Sequence, residues 1–124
     1  MRDVIRGVRG ATTVERNDAA LLRERTTELL RALIERNGIA AEDVASAIFT
    51  TTPDLDADFP AHAARRLDGW EAVPLLCARE MPVPNALERC IRVLIHWNTD
   101  RGQRDVRHAY LRGAERLRPD LGAE

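Results

Sequence analysis

The segment 90–97 combines strand-forming apolar residues with a single guanidinium, that of Arg92. Successive side chains of a strand point to opposite faces, so one predicted face carries Cys90, Arg92, Leu94 and His96. The other face is apolar and carries Ile91, Val93, Ile95 and Trp97. A guanidinium cannot escape burial by losing its proton, so a buried one requires an anion. Arg92 is therefore either a solvated edge residue or part of a site for a bound anion or a buried carboxylate.

A second pattern, at helical spacing, runs through residues 18–37. Apolar side chains recur from Leu22 to Leu33 with charged residues between them, which is typical of an amphipathic helix. Asp18 is a favourable amino-terminal cap, and Gly38 suits the left-handed position that ends a helix. The sequence therefore predicts one long helix with an apolar face.

Shorter segments complete the predicted order of elements. Strand-forming residues bounded by Gly, Pro, Asn or Asp predict further strands at residues 3–11, 44–52, 71–77 and 106–111, the first extending towards Thr13. Short helices or helical turns are expected at residues 61–67, after Pro60, and at residues 85–89 and 113–117. A helical turn or loop is expected at residues 41–43.

These elements fit a single domain, residues 1–124, of the α/β or α+β class. We expect a mixed sheet of about five strands, one long helix and several short helices. One amphipathic helix can cover only one face of such a sheet. In a chain of 124 residues, a homo-oligomer is the most economical way to cover the other face.

Composition and charge narrow the classes of function. The formal net charge is −1, which gives no general affinity for nucleic acid or for an anionic membrane. All 19 cationic residues are arginine, so no lysine is available for Schiff-base or P-loop chemistry. Cys77 and Cys90 lack the spacing of a zinc site and are too few for a disulfide scaffold. No signal peptide or membrane span is predicted, so the expected location is cytoplasmic.

Motifs of the common covalent and metal-dependent mechanisms are missing. The sequence contains no GxSxG, HExxH, GxGxxG or phosphate-binding glycine loop. His62, His96 and His108 are scattered, and each is expected to be structural. A hydrogen-bonding or small-residue role is favoured for Cys77 over that of a nucleophile, because no base lies near it in sequence.

Arginine at predicted strand positions is the feature that remains. Arg6, Arg9 and Arg92 occupy such positions, while Glu80 lies at a strand end and Tyr110 near one. This set of residues suits the binding of a small polyanion better than covalent catalysis. From the residues alone, the prediction is an enzyme or a binding protein for a small anionic molecule.

Several segments, in order and with compatible spacing, resemble those of one enzyme family. They are Arg6-Gly-Val-Arg-Gly-Ala-Thr-Thr13, Thr52-Pro-Asp-Leu55 with Phe59-Pro60, Cys90-Ile-Arg-Val93, Arg107-His-Ala-Tyr110 and Leu117-Arg-Pro-Asp-Leu121. Together they resemble the monofunctional, barrel-type chorismate mutases (the AroH class), and the resemblance spans nearly the whole chain.

The resemblance implies a fold, an assembly and a reaction. The family forms a homotrimeric pseudo-α/β-barrel with active sites at the subunit interfaces. Its reaction is the pericyclic rearrangement of chorismate to prephenate, in the shikimate pathway towards phenylalanine and tyrosine. That isomerisation needs no cofactor, no metal and no covalent intermediate, which would explain the missing motifs. Chorismate is the implied small-molecule partner, with no role for nucleic acid or membrane.

The resemblance also implies roles for individual residues. Arg92 would lie beside the breaking ether oxygen and a carboxylate of the substrate. Arg9 and Tyr110 would hold carboxylates, and Glu80 would accept the ring hydroxyl with Cys77 beside it. Arg92, Glu80 and Arg9 are thus the implied catalytic residues. Matching wall or lid positions are Phe59, Ala61, Arg65, Leu117 and Arg118.

One departure and one alternative accompany this interpretation. His62 stands where the family pattern has lysine, so any attraction of the dianion there would be weaker and would depend on pH. The alternative is a non-catalytic trimeric sensor of an anionic or aromatic metabolite. Loss of Arg92, Glu80 or Arg9 would favour the sensor, and the sequence contains all three.

Overall fold

One mixed sheet of five strands is the framework of the chain, of which the computed structural model describes residues 3–117. The strands are β1 (Val4–Thr13), β2 (Val44–Thr51), β3 (Leu75–Arg79), β4 (Cys90–Thr99) and β5 (Ala109–Tyr110). The helices within these residues are α1 (Ala19–Asn37), α2 (Pro60–Ala64) and the 3-10 helices Ala41–Asp43, Trp70–Ala72, Gln103–Asp105 and Arg112–Arg116. The predicted α+β fold with a mixed sheet is confirmed.

The central position in the sheet belongs to β4. The strand order is β3-β2-β4-β1-β5. β4 runs antiparallel to both of its neighbours, β1 and β2, while the edge strands β3 and β5 run parallel to β2 and β1. Because β4 is paired along both sides, its register fixes the relative positions of residues on both halves of the sheet.

The two faces of β4 differ as the alternation predicts. Ile91, Val93, Ile95 and Trp97 are no more than 4% exposed. On the other face Leu94 is 37% exposed, and Arg92 and His96 are half-buried. The main core therefore lies on one side of the sheet, and the opposite side carries the arginine.

Helix α1 covers the apolar side of the sheet. Asp18 caps its amino terminus by accepting a hydrogen bond from the Leu21 N–H at 2.9 Å, and Gly38 ends it with φ of 70°. Leu29, Leu30 and Leu33 are fully buried in the main core, together with residues of β1, β2 and β4. No helix within residues 3–117 is long and apolar enough to span a membrane.

Several predicted boundaries are wrong: the helix expected at 61–67 ends at Ala64, β4 continues to Thr99, and three further segments differ more. The strand expected at 71–77 begins only at Leu75, because Trp70–Ala72 forms a 3-10 helix whose Trp70 is buried in the core. The strand expected at 106–111 shortens to Ala109–Tyr110. Residues 85–89 are not helical, since Asn85 and Arg89 have φ of 66° and 45°. Such left-handed residues cannot continue a right-handed helix.

A buried carboxylate joins α1 to the segment that precedes α2. Asp58 forms an ion pair with Arg23 of α1, and its other oxygen lies 2.6 Å from His62 Nδ1. It also accepts a hydrogen bond from the Phe59 N–H. Burial alone would raise the pKa of Asp58, but the hydrogen bonds from Arg23, Phe59 and His62 together lower it below the usual 3.8. These contacts fix the position of α2.

Gly10→Ala should destabilise the fold, because β1 approaches α1 closely at this residue. A Cβ at Gly10 would lie 2.7 Å from Leu33 Cδ1 and 3.3 Å from the Ala109 carbonyl oxygen. We expect urea titration to show a loss of about 1–3 kcal/mol in the free energy of unfolding from overpacking. Gly102→Ala is the control, since its Cβ would make an ordinary contact of 3.4 Å with Asp105. Equal losses in both variants would contradict this packing argument.

Asp58→Ala should destabilise the protein near neutral pH and have less effect in acid. Removing the buried carboxylate leaves Arg23 without its partner, and we expect a loss of about 1–3 kcal/mol at pH 7. A carboxyl whose pKa is depressed in the folded state contributes stability above its unfolded value of 3.8. That contribution disappears as pH falls through the folded-state pKa.

The measurement is the difference in unfolding free energy between wild type and Asp58→Ala from pH 7 to pH 3. The exposed Asp68, which has no ion pair among the described residues, supplies the control Asp68→Ala. A difference for Asp58→Ala that stayed constant across this range would contradict the assignment.

Candidate active site

Arg92 and Glu80 meet on the face of the sheet that α1 does not cover. β4 orients Arg92 to the same side as the exposed Leu94. Glu80 follows the last residue of β3, where its N–H donates to the Thr51 carbonyl at 3.0 Å. Arg92 Nε lies 3.1 Å from Glu80 Oε2, and the two side chains are 29% and 14% exposed. The fold thus brings Glu80, at the end of β3, and Arg92, in β4, together as a half-buried ion pair.

The Arg92–Glu80 pair is close without being a hydrogen bond. Despite the 3.1 Å separation, the Arg92 Nε–H does not point at the carboxylate, and Nε has no hydrogen-bond partner in the described part of the chain. Thr50 instead donates its hydroxyl to the same Glu80 Oε2 at 2.8 Å. A buried donor left without an acceptor costs about 1–3 kcal/mol, so an incoming acceptor at Arg92 would relieve that cost.

Tyr110 extends the site across the sheet. Thr50, Arg92, Ala11 and Tyr110 are successive cross-strand partners on β2, β4, β1 and β5, so their side chains share one face. At about 4.8 Å between strands, this row is about 14 Å long. Of the three buried side-chain polar atoms without a hydrogen-bond partner in residues 3–117, two are in the row: Arg92 Nε and the Tyr110 hydroxyl. Both groups are hydrogen-bond donors, and Tyr110 is 1% exposed in a cluster that also contains Ala114 and Leu117.

Arg9 adds a second cation to this face. Arg92 pairs with Ala11, two residues along β1 from Arg9, so the two arginines are diagonal neighbours. Among the described residues, no carboxylate forms an ion pair with Arg9 within 4.0 Å. Arg6 points to the other side and donates from Nε to the Arg101 carbonyl at 2.8 Å. The predicted separation of Arg6 and Arg9 between the faces is confirmed, and Arg9 keeps its charge available.

Cys90 is buried at the start of β4, on the same face as Arg92. Burial raises the pKa of its thiol, and the neighbouring Arg92 guanidinium acts in the opposite direction without reversing the shift. A raised thiol pKa means that Cys90 is neutral at physiological pH. Cys90 is therefore a buried, neutral side chain packed with Ala11 and Tyr110.

An open groove of about 480 Å³ gives access to the ion pair. Its lining residues are Thr50, Arg79, Glu80, Met81, Val83, Ala86 and Arg92. Met81 and Val83 are 80% and 57% exposed, so one wall of the groove is an apolar loop that no residue from 3 to 117 covers.

Two other predicted site residues, Cys77 and Phe59, line a different groove from the one that contains Arg92. Cys77 pairs with Phe49 and packs against the main core, so it lies on the α1 side of the sheet. Together with Phe59 and His62 it lines a separate groove of about 430 Å³. Phe59 is 61% exposed, and its ring meets that of His62 edge to face with centroids 5.4 Å apart. Within one chain, Cys77 and Glu80 are thus on opposite sides of the sheet, and their proximity in a site between subunits stays a prediction.

The remaining predicted contacts divide in the same way. Ala61 is buried within α2, and Arg65 is exposed at the end of that helix. Leu117 packs against the small cluster that contains Tyr110. A wider cleft of about 710 Å³ also borders Leu117 but includes none of Arg92, Glu80, Arg9 and Tyr110. Arg118 lies outside the described residues.

Sequence reasoning missed Thr50. It belongs to a run of three threonines that was interpreted only as strand-forming. The signal that identifies Thr50 is the register of β2 on β4, which makes it the direct partner of Arg92. That register becomes visible only when the sheet is assembled.

Comparison with known proteins agrees with these observations. The sequence model of the family chorismate mutase type I matches residues 5–121. The chain is 55% identical over 119 residues to chorismate mutase AroH of Thermus thermophilus, covering 95% of this chain and 97% of that protein. It is 48% identical over 118 residues to chorismate mutase AroH of Bacillus subtilis, covering 95% and 93%.

The fold comparison gives the same result. A solved chorismate mutase from Clostridium thermocellum superposes with a TM-score of 0.87 at 49% identity, covering 90% of this chain and 98% of that one. The family model, the two sequence relatives and the solved structure span most of the chain and agree on one enzyme. The chain belongs to the type I chorismate mutases, isomerases that convert chorismate to prephenate.

Proposed function

We propose that this chorismate mutase performs its rearrangement at the open face of the sheet, with Arg92 as the principal catalytic group. The observation that carries the proposal is the pair of buried donors without acceptors, Arg92 Nε and the Tyr110 hydroxyl, in one row across the sheet. A dicarboxylate with an ether oxygen supplies acceptors of the kind that both donors lack.

Arg92 stabilises the charge that develops in the transition state. As the ether bond of chorismate breaks, its oxygen gains negative charge, and a fixed guanidinium there binds the transition state more strongly than the substrate. Unit charges about 4 Å apart interact by about 4 kcal/mol at an effective dielectric of about 20. Partial charge reduces this value, but about 3 kcal/mol would still accelerate the reaction by more than a hundredfold.

The other residues of this face orient the substrate. Arg9 and Tyr110 bind carboxylates, and Glu80 accepts the hydrogen bond of the ring hydroxyl. Holding the enolpyruvyl arm folded over the ring turns a flexible molecule into a reactive conformer, which lowers the entropic part of the barrier. No proton transfer or covalent step is required of these side chains.

We further infer that each site is completed by a second copy of the chain in a homotrimer. Within one chain, Phe59 and Cys77 line a groove that contains neither Arg92 nor Glu80, while Ala61 lies in α2 and Arg65 at the end of that helix. A neighbouring subunit that presents these residues to the Arg92 groove would close the site.

The exposed apolar side chains support such an assembly. On the Arg92 side, Leu94 and Leu76 are the cross-strand partners of Ile48 on β2, and they are 37% and 62% exposed. Ile5 on β1 is 58% exposed. A sheet face of this kind is stable in water when a partner covers it. The cytoplasmic location predicted from the sequence stays a prediction.

Arg92→Ala should abolish most of the activity. We expect kcat to fall by at least a hundredfold, corresponding to the loss of about 3 kcal/mol of transition-state stabilisation. Arg92→Lys should recover little of it, since an ammonium is a point charge and cannot contact two oxygens as a planar guanidinium does. The measurement is the decrease in the ultraviolet absorbance of chorismate with purified protein.

The control for Arg92 is another strand arginine, Arg6, which points away from this face and donates to a backbone carbonyl. Arg6→Ala should keep its activity within about threefold of wild type if only charge on the open face matters. A folded Arg92→Ala protein with wild-type turnover would contradict the proposed role of Arg92.

Arg92→Ala and Arg65→Ala should each lower the activity and, when combined, restore part of it, if both arginines act in a site that two subunits share. We expect Arg92→Ala and Arg65→Ala, unfolded together and refolded as a mixture, to form hybrid trimers in which some sites contain both native arginines. Random assembly from equal amounts places both in about a quarter of the interfaces, so activity should rise towards about a quarter of wild type.

The control is the same two proteins mixed without unfolding, which should gain no activity on the time scale of the assay. Trimer mass by light scattering checks that hybrids have formed. Hybrids of the correct mass that show no recovered activity would contradict a site composed of two subunits.

A further inference from the structure

Thr50 holds the carboxylate of Glu80 through the only hydroxyl-to-carboxylate contact that Glu80 makes within the described residues. Thr50 Oγ1 lies 2.8 Å from Glu80 Oε2. A carboxylate can only accept, so the hydroxyl is the donor. We propose that Thr50 is a positioning residue for catalysis, which acts through Glu80 by fixing the orientation of its carboxylate beside the Arg92 guanidinium. The proposal rests on the proposed function of this face.

Glu80 needs such a support because its backbone is held on one side only. It follows the end of β3, and its N–H donates to Thr51. The chain then enters residues 81–89, which form no helix or strand and include the left-handed Asn85 and Arg89. A side chain at the start of such a loop has several accessible orientations, and each hydrogen bond restricts them.

The restriction matters because a guanidinium and a carboxylate usually pair in a different geometry from the one that Arg92 and Glu80 adopt here. Guanidinium and carboxylate groups commonly form paired, parallel hydrogen bonds. Here Glu80 Oε2 is 3.1 Å from Arg92 Nε, yet that N–H has no hydrogen-bond partner in the described part of the chain. Oε2 is directed at Thr50 instead. The hydroxyl therefore fixes the orientation of the Glu80 carboxylate beside the Arg92 guanidinium.

The pairing of β2 with β4 fixes the position of Thr50 relative to Arg92. Thr50 and Arg92 are direct cross-strand partners between β2 and β4, so their side chains leave the same face at a fixed separation. Threonine is also stiff about χ1, which fixes the direction of its hydroxyl-bearing branch. Thr50 therefore gives the Glu80 carboxylate, which lies at the start of a loop, a hydrogen-bond donor in a fixed position.

The test is Thr50→Val, which keeps the branched shape and removes the hydroxyl. We expect kcat/KM to fall by about 10- to 100-fold, since hydrogen bonds to charged groups are worth about tenfold or more. The loss should appear mainly in kcat, because the Arg92 contact grows stronger in the transition state. Thr50→Ser, which keeps the hydroxyl, should restore the rate to within about threefold of wild type.

The control is Ser46→Ala. Ser46 shares the strand and face of Thr50, and its hydroxyl lies 3.0 Å from His96 Nδ1 of β4. This variant removes a hydroxyl contact between the same two strands without touching Glu80, so kcat should stay within about threefold of wild type. An equal loss of kcat in Ser46→Ala would mean that Thr50 only supports the sheet.

A double-mutant cycle with Glu80→Ala separates the positioning role of Thr50 from the proposed function of Glu80. If Thr50 acts through Glu80, Thr50→Val should lower kcat by less than about threefold once Glu80 has been removed. A full and additive loss in that background would overturn the positioning role while leaving the function of Glu80 intact. If Glu80→Ala alone kept wild-type activity, the proposed role of Glu80 would fail first. Thermal unfolding of each variant checks that the changes in kcat do not follow stability.

Discussion

The structure depends on one strand, β4, which has an apolar face and a face that carries an arginine. β4 carries Ile91, Val93, Ile95 and Trp97 on the side that α1 covers, and a permanently charged guanidinium on the other. Burial of the first face fixes the register of the strand, because a shift by one residue would move Arg92 into the core. The stability of the core and the position of Arg92 are thus consequences of the same alternation. A mutation that loosens the core would displace Arg92 as well.

On the open face, two buried donors have no acceptor among the described residues. In the absence of ligand, the charge of Arg92 is partly balanced by Glu80, although its Nε–H receives no acceptor from the described chain. The Tyr110 hydroxyl is in the same situation at the other end of the row. Unsatisfied buried donors reduce stability, and here they are concentrated where binding would compensate for them. Under the proposed function, these donors would be in place for negative charge before the substrate binds.

The sequence predicted those features that depend on local periodicity. The two faces of β4, both ends of α1 and the separation of Arg6 from Arg9 follow from spacing and capping chemistry, and all are observed. The start of β3 was misplaced because Trp70 turns into the core through a 3-10 helix, an outcome decided by tertiary packing. Thr50 was missed because its importance lies in its cross-strand partner, and no single-strand pattern contains that information.

The position of Cys77 shows why a family resemblance alone does not describe the site. The resemblance places Cys77 beside Glu80 in a site between subunits. Within one chain, residues along β3 alternate between faces, and Cys77 faces the main core while Glu80 turns to Thr50 on the other side. Three residues apart on an extended chain, two side chains cannot both point at one ligand from the same direction. The two statements agree if one side of β3 serves a site with its own Arg92 and the other serves the site of a neighbour. Under the proposed assembly, a five-stranded sheet with a single long helix would contribute residues to two sites, and the apolar side chains exposed on the Arg92 side would be covered by the neighbouring subunit.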